Sequence, residues 1–321
     1  MFHYDDGLFI TRAGLAVDVR RRQPRGFVSH AHADHMARHE YAFATPATGK
    51  LYQHRLGKNL RVRELPYGTP TELGSVQLTT LPAGHCLGSA MLLADNGTTR
   101  LLYTGDFKLG ESLTAREAEL PAADILVIES TFGSPRYRLP PREESIEQLV
   151  EGVQQTLDSG RTPVVHAYAL GKAQEVTAIL TRAGFPVLQH SSIAEISRVY
   201  ERCGVSLGNW SEYKHGVFDG HVVVTLPKSM KGFRLAGLGE AVSIAVTGWA
   251  VHPSTQHRWK VDLAVPLSDH ADFDQLMEAA KRIAPKKIYT THGPAGFDEH
   301  LRAAGFDAEP LNRNRQQRLF H

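Results

Sequence analysis

Short apolar runs broken by Gly, Pro, Asn and Asp dominate the chain, and they predict many brief strands before they predict helices. Ala13 to Val19 is one such run, and a second ends in Gly26-Phe27-Val28-Ser29, so the two are expected as neighbouring strands. Short strands and one helix are expected between Tyr41 and Leu73. Strand-forming residues recur at Ser75–Leu81, Ala90–Ala94 and Thr99–Tyr103 between turn signals, which is the pattern of an antiparallel meander. Asp124 to Glu129 is a continuous apolar run of buried-strand type.

The pattern changes after Ser134. Pro135 and Pro140-Pro141 interrupt it, and Glu143 to Leu157 reads as an amphipathic helix. Strands at 163–167, 186–188, 221–226 and 241–247 alternate with helices at 171–182 and 192–202, predicting an α/β unit with a mostly parallel sheet. No Gly-x-Gly-x-x-Gly or phosphate-loop lysine motif accompanies it, so a nucleotide-binding domain is not expected. From Lys260 the first style returns: a strand at 261–267, a helix at 273–283 and a strand at 287–291. The expected division is therefore 1–134 with 260–321 as one domain and 135–259 as an insertion.

A chain of 321 residues, 42% hydrophobic and 22% charged, has the composition of a globular protein with a substantial core. The net charge of +2 gives no global footprint for nucleic acid, so any such surface must be local. Arg20, Arg21, Arg22 and Arg25 form one basic cluster, read either as a solvated turn or as a phosphate-steering loop. The basic tail, Arg313 to Arg318, reads as a solvated terminus. Two cysteines, no apolar run near the ~18 residues of a membrane span, and no charged-then-apolar leader lead to the expectation of a cytoplasmic protein without membrane association.

Chemistry concentrates at the strand ends. His30-Ala31-His32-Ala33-Asp34-His35 places three imidazoles and a carboxylate in six residues. In an extended segment His30 and His32 project to one side and can clasp one cation, whereas Asp34 and His35 in the following turn suit a second. Imidazole with carboxylate favours zinc, manganese or iron over calcium or magnesium. Further strand-end residues are Asp18, His85 in Gly-His-Cys-Leu-Gly-Ser, Asp106 in Thr-Gly-Asp-Phe, Glu129 in Glu-Ser-Thr-Phe-Gly, His270 in Ser-Asp-His-Ala-Asp and His292 in Thr-His-Gly.

This ordered series resembles the metallo-β-lactamase fold in its β-CASP, nucleic-acid-processing branch, over about Asp18 to His292. The segment Ala169-Leu170-Gly171-Lys172-Ala173-Gln174-Glu175 is similar to the turn into a helix of that branch's inserted domain, with lysine where many members carry arginine. The resemblance implies an αββα sandwich carrying an inserted α/β β-CASP domain, and two divalent transition-metal ions, zinc or manganese with iron as a further option. His30, His32 and His85 would hold one ion and Asp34, His35 and His292 the other, with Asp106 bridging. Two such ions lower the pKa of a shared water and stabilise the charge of an in-line displacement at phosphorus. His270 would contact the scissile phosphate and protonate the leaving oxygen, with Glu129 orienting it. Asp18 reads as fixing a histidine ligand or as a turn acid. Ser130, Thr131 and Lys172 are candidate nucleic-acid contacts, though capping explains the first two equally well. Lys172, Lys228, Lys231 and Arg234 would line a groove for a strand.

His292 is a feature of the branch's RNA-processing members. The compact length, Ala-Tyr-Ala-Leu-Gly-Lys-Ala-Gln and Pro-Leu-Ser-Asp-His-Ala-Asp-Phe instead resemble bacterial exonucleases associated with DNA ligase. The leading expectation is a 5′-end-directed DNA exonuclease of DNA repair, with a DNA ligase as functional associate. The alternatives are an endo- or exoribonuclease of the same fold, a noncatalytic scaffold subunit, and a small-molecule hydrolase.

Overall fold

A computed structural model describes residues 1–214, 219–227 and 240–311. It divides into two compact units, the first formed by Met1–Glu111, Ala115–Arg136 and His270–His321, the second by Ser112–Thr114 and Tyr137–Asp269.

In the first unit two sheets face each other. One has six strands in chain order, Phe2–Tyr4, Leu8–Ile10, Leu15–Val17, Arg25–Phe27, Tyr41–Ala44 and Val62–Glu64. The other runs in the order Ala308–Pro310, Lys287–Thr291, Ile125–Glu129, Arg100–Tyr103, Ala90–Asp95, Val76–Pro82, Thr71–Leu73. The meander expected at 75–103 is antiparallel as its alternation requires. Ile10, Leu15, Val17, Phe27, Leu78, Leu92, Leu101, Tyr103 and Val127 interleave between the sheets as one core. On the outer face of the seven-stranded sheet, Met91, Leu102, Leu126, Ile128 and Ile288 pack under Phe273, Leu276, Ala280 and Ile283. These last four come from the helix Phe273–Ile283, whose N-cap Asp272 accepts from Gln275 N at 2.9 Å. The helix Pro46–Leu56, capped by Thr45, lies against the first sheet, completing an αββα arrangement.

The second unit holds a six-stranded, wholly parallel sheet in the order Trp210–Glu212, Val187–Gln189, Val222–Thr225, Thr162–His166, Ala241–Val246, Leu263–Val265. Its strands are the near-continuous Val-rich runs that a sheet covered on both faces requires. The helices Arg142–Asp158 and Lys172–Arg182 contribute Leu149, Val153, Val176 and Ile179 to its main core.

One expectation changes. Leu263–Val265, expected within the C-terminal segment of the first domain, pairs in parallel with Ile244–Val246 as the edge of the second unit's sheet. Three apolar residues carry no record of which sheet they join, because pairing is non-local. The chain re-enters the first unit at His270 rather than near 260. Lys228, Lys231, Arg234 and the Arg313–Arg318 tail lie outside the described residues.

Candidate metal centre

Asp18 organises the first layer of the site. It follows the strand Leu15–Val17 in the left-handed region, with φ 49°, a conformation that Asp tolerates better than most residues. The turn aims its carboxylate at the end of the neighbouring parallel strand. There Oδ1 accepts from Ser29 N at 2.8 Å, and Oδ2 accepts from Ser29 Oγ at 2.5 Å, from His35 Nδ1 at 2.8 Å and from Tyr103 OH at 2.8 Å. Four donors thus converge on one buried carboxylate.

Those bonds set the imidazole tautomers. Ser29 Oγ gives its proton to Asp18, so at 3.0 Å it accepts from His30 Nδ1, which leaves His30 Nε2 bearing a lone pair. His35 likewise donates from Nδ1 to Asp18 and turns Nε2 inward. Around these atoms the structure brings together His32 Nδ1, 3.0 Å from His30 Nε2 and 3.1 Å from His85 Nε2. Asp106 Oδ2 lies 3.4 Å from His30 Nε2, 3.3 Å from His35 Nε2 and 4.0 Å from His85 Nε2. Asp34 Oδ2 is 3.8 Å from His35 Nε2, and the rings of His35 and His292 are 4.7 Å apart. Ring nitrogens and a carboxylate oxygen gathered at this spacing need protons or a metal ion between them. The donor set therefore fits a divalent transition metal, with ligand orientation supplied by the Asp18, Ser29 and Tyr103 bonds behind it.

The electrostatics agree. Burial, followed by the neighbouring His35, pushes the His30 pKa well below its ordinary value. Burial also opposes charge on His35, but the Asp106 and Asp18 carboxylates outweigh it and raise that ring well above the usual histidine value. Against its own burial, Asp106 is held well below the carboxylate range, His35 and His270 being the largest opposing causes. In protein stripped of metal, His35 thus keeps a proton, and its favourable contribution is present below about pH 6.5 and lost as pH rises through its raised pKa. A metal must displace that proton. Metal uptake near neutral pH is expected to release protons and to tighten as pH rises, measurable by titration calorimetry in buffers of different ionisation enthalpy. Buffer-independent heats would contradict this.

His292 also sits in the left-handed region, with φ 49°. Behind it Gly293 lies flush on the Ser130 backbone: a Cβ there would stand 2.0 Å from Ser130 O. Ser130 Oγ donates to Thr291 O at 3.1 Å, while Thr131 Oγ1 donates to Glu129 Oε2 at 2.5 Å with His292 O at 3.2 Å. These hydroxyls, candidates for phosphate contacts, are turned inward and position His292 and Glu129. Gly293→Ala is expected to displace His292 and lower metal affinity by at least about tenfold; unchanged metal content after dialysis would contradict that.

Glu129 is fully buried and accepts from Phe107 N at 2.9 Å and Thr131 N at 3.3 Å as well as from Thr131 Oγ1. His270 Nδ1 stands 3.0 Å from its Oε1 and 3.2 Å from its Oε2. The carboxylate fixes the proton on Nδ1, so Nε2 is the atom through which the ring can exchange one. The His270 and His85 ring centroids are 4.6 Å apart, placing this pair beside the histidine cluster.

Lys172 is placed differently from expectation. It is 2% exposed, and its ammonium donates to Leu267 O at 2.9 Å and pairs with Asp269 Oδ1 at 3.1 Å, so it braces the second unit instead of offering charge at the surface. Its motif neighbours act similarly. Gln174 Oε1 accepts from Gly171 N at 2.9 Å, and Glu175 accepts from Ser112 Oγ and Thr114 Oγ1, both at 2.7 Å, and pairs with Arg142. Sequence reasoning missed Tyr103 and Arg55. Arg55 donates to the Ala31 carbonyl at the centre of the His30–His32 turn, and Tyr103 looks like any aromatic strand residue.

Two family models match the chain, the beta-lactamase superfamily domain at residues 26–176 and the Zn-dependent metallo-hydrolase RNA specificity domain at residues 264–309. The chain belongs to the metallo-β-lactamase superfamily, in its β-CASP branch. It is 34% identical over 319 residues to a protein from Opitutus terrae named a probable DNA ligase, covering 98% of this chain and 31% of that one. An endoribonuclease from Yarrowia lipolytica is 34% identical over 44% of this chain and 18% of its own length. An RNase J-like protein from Methanocaldococcus jannaschii is 34% identical over 40% of this chain and 32% of its own length. The chain thus spans a third or less of the length of these relatives. A protein of unknown function from Enterococcus faecalis shares the fold, with a TM-score of 0.59 at 13% identity over 90% of this chain and 79% of that one. No helix among the described residues is long and apolar enough to cross a membrane.

Proposed function

We propose that this protein is a two-metal phosphodiesterase that hydrolyses DNA as an exonuclease from the 5′ end, serving repair alongside a DNA ligase. The first unit is the metallo-β-lactamase domain and the second the inserted β-CASP domain. The observation that carries the reading is the position of Asp106 Oδ2, between His30 Nε2 at 3.4 Å and His35 Nε2 at 3.3 Å, where it would serve both groups of histidines. His30, His32 and His85 would hold one ion and Asp34, His35 and His292 the other; zinc or manganese would suit both sets, with iron the further option.

When bound, the two ions supply Lewis-acid charge for the phosphate oxygens and a water acidified to near neutrality. The chain's own residues do the rest. Asp18 and Ser29 hold the His30 and His35 tautomers so that no ligand has to reorganise. His270, charged or oriented by Glu129, delivers a proton from Nε2 to the departing oxygen, and Glu129 stabilises the positive ring until it does so.

DNA is favoured because the match to the protein named a DNA ligase runs along nearly the whole chain, whereas the two relatives with ribonuclease names match less than half of it. The RNA reading stands second, supported by those relatives and by the RNA specificity domain at 264–309. The test is side-by-side digestion of labelled single-stranded DNA and RNA of one sequence by metal-reconstituted protein. Preferential cutting of DNA from its 5′ end is expected; cutting of RNA with DNA left intact overturns the DNA assignment.

A further inference from the structure

The three histidines proposed for the first ion come from two loops that belong to different sheets. His30 and His32 follow the strand Arg25–Phe27 of the six-stranded sheet, whereas His85 follows Val76–Pro82 of the seven-stranded one. Three imidazoles share a zinc ion only with each nitrogen about 2.0–2.1 Å from it, so the two loops must be held at a fixed spacing to within about 0.2 Å. One backbone bond, from Ala90 N to Ser29 O at 2.9 Å, joins the loops at their bases.

The helix Pro46–Leu56 ties them together further out. Its N-cap Thr45 and its Thr48 both donate from Oγ1 to Gly88 O at 2.7 Å, in the loop that carries His85. Gly88 has φ 78° and lies so near the helix that a Cβ would stand 2.5 Å from Thr48 N. One turn further on, the Tyr52 hydroxyl donates to Ala37 O at 2.7 Å and accepts from His39 N at 3.1 Å, where the other loop returns to its sheet. Arg55 then donates to Ala31 O, between His30 and His32. Positions 45, 48, 52 and 55 fall on one helical stripe. Its hydroxyl and guanidinium donors all go to the two ligand loops, which a helix serving only to cover a sheet does not require. Gly49 seats the same helix on the first sheet: a Cβ there would stand 2.9 Å from Val62 Cγ1.

Resting on the two-ion assignment above, we propose that this helix is a template that fixes the His85 loop against the His30–His32 turn and thereby sets the affinity of the first ion. Arg55 and Thr48 are its positioning residues. The histidines of the second ion have other supports, His35 on Asp18 and His292 on the Ser130 backbone beneath Gly293. The template therefore acts on one ion of the two.

Zinc titration of the full chain, stripped of metal and competing with a chromophoric chelator, reads the two equivalents separately. Arg55→Met is expected to weaken one equivalent by about tenfold or more and the other by less than about threefold. The sign separates position from charge, because a guanidinium repels a metal cation and its removal by charge alone would tighten binding. Arg55→Lys, which keeps the charge and a donor, should recover part of the loss. Thr48→Val keeps the side-chain shape and should cost the same equivalent about threefold, since Gly88 O retains its bond from Thr45. Both residues act through one distance, so the double variant should lose little more than Arg55→Met alone. Unchanged or tighter binding in Arg55→Met, equal loss of both equivalents, or losses that multiply in the double variant overturn the template. A wild-type chain that takes up a single equivalent overturns the two-ion reading instead, and weakening of that equivalent by Arg55→Met would still support the template.

Discussion

Asp106→Ala is expected to abolish phosphodiester hydrolysis, with a loss of at least about 10³-fold, and to lower the bound metal. The carboxylate is buried and lies within 4.0 Å of the inward nitrogens of His30, His35 and His85 together. Its removal also withdraws the charge that does most to keep His35 protonated, leaving that ring's raised pKa to fall. His32→Ala should behave alike, because its Nδ1 sits between His30 and His85. Hydrolysis rate and metal content, measured with a circular dichroism spectrum to confirm folding, check both variants. Retained turnover in either would remove the metal mechanism.

His270→Ala should lose about 10²–10⁴-fold in turnover while keeping its metal, since its role is proton delivery. The substrate dependence is the sharper readout. An aryl phosphodiester, whose phenolate leaves without a proton, should recover most of the loss, whereas a nucleic-acid substrate should not. Glu129→Gln preserves an oxygen acceptor for His270 Nδ1 but removes the charge that stabilises the protonated ring, so its loss should be smaller and shifted in pH profile. An equal loss on aryl and nucleic-acid substrates would show that His270 acts on geometry rather than on the leaving oxygen.

The chemistry of this site was legible because metal ligation demands particular residue types, and these fall just after strands. Asp18, the His30–His35 run, His85, Asp106, Glu129 and His292 all follow apolar runs that could be read as strands. What could not be read is what the ligands lean on. Tyr103 is an aromatic in a buried strand, and only the packing of two sheets brings its hydroxyl to Asp18. Ser130 and Thr131 carry no local sign that they face Thr291 and Glu129 and not a phosphate. The hairpin of Phe2–Tyr4 and Leu8–Ile10 went unread because three-residue strands are shorter than any period that alternation can establish. Sheet membership failed for Leu263–Val265 for the related reason that a pairing partner is chosen in space. Lys172 shows the converse case, a charged residue at a helix start whose burial could not be inferred from its type.

Metal analysis of the reconstituted protein tests the central claim most directly. The geometry around Asp106 predicts about two equivalents of zinc or manganese per chain, falling in Asp106→Ala. Less than one equivalent in the wild-type chain, or a full complement retained by Asp106→Ala, would contradict it.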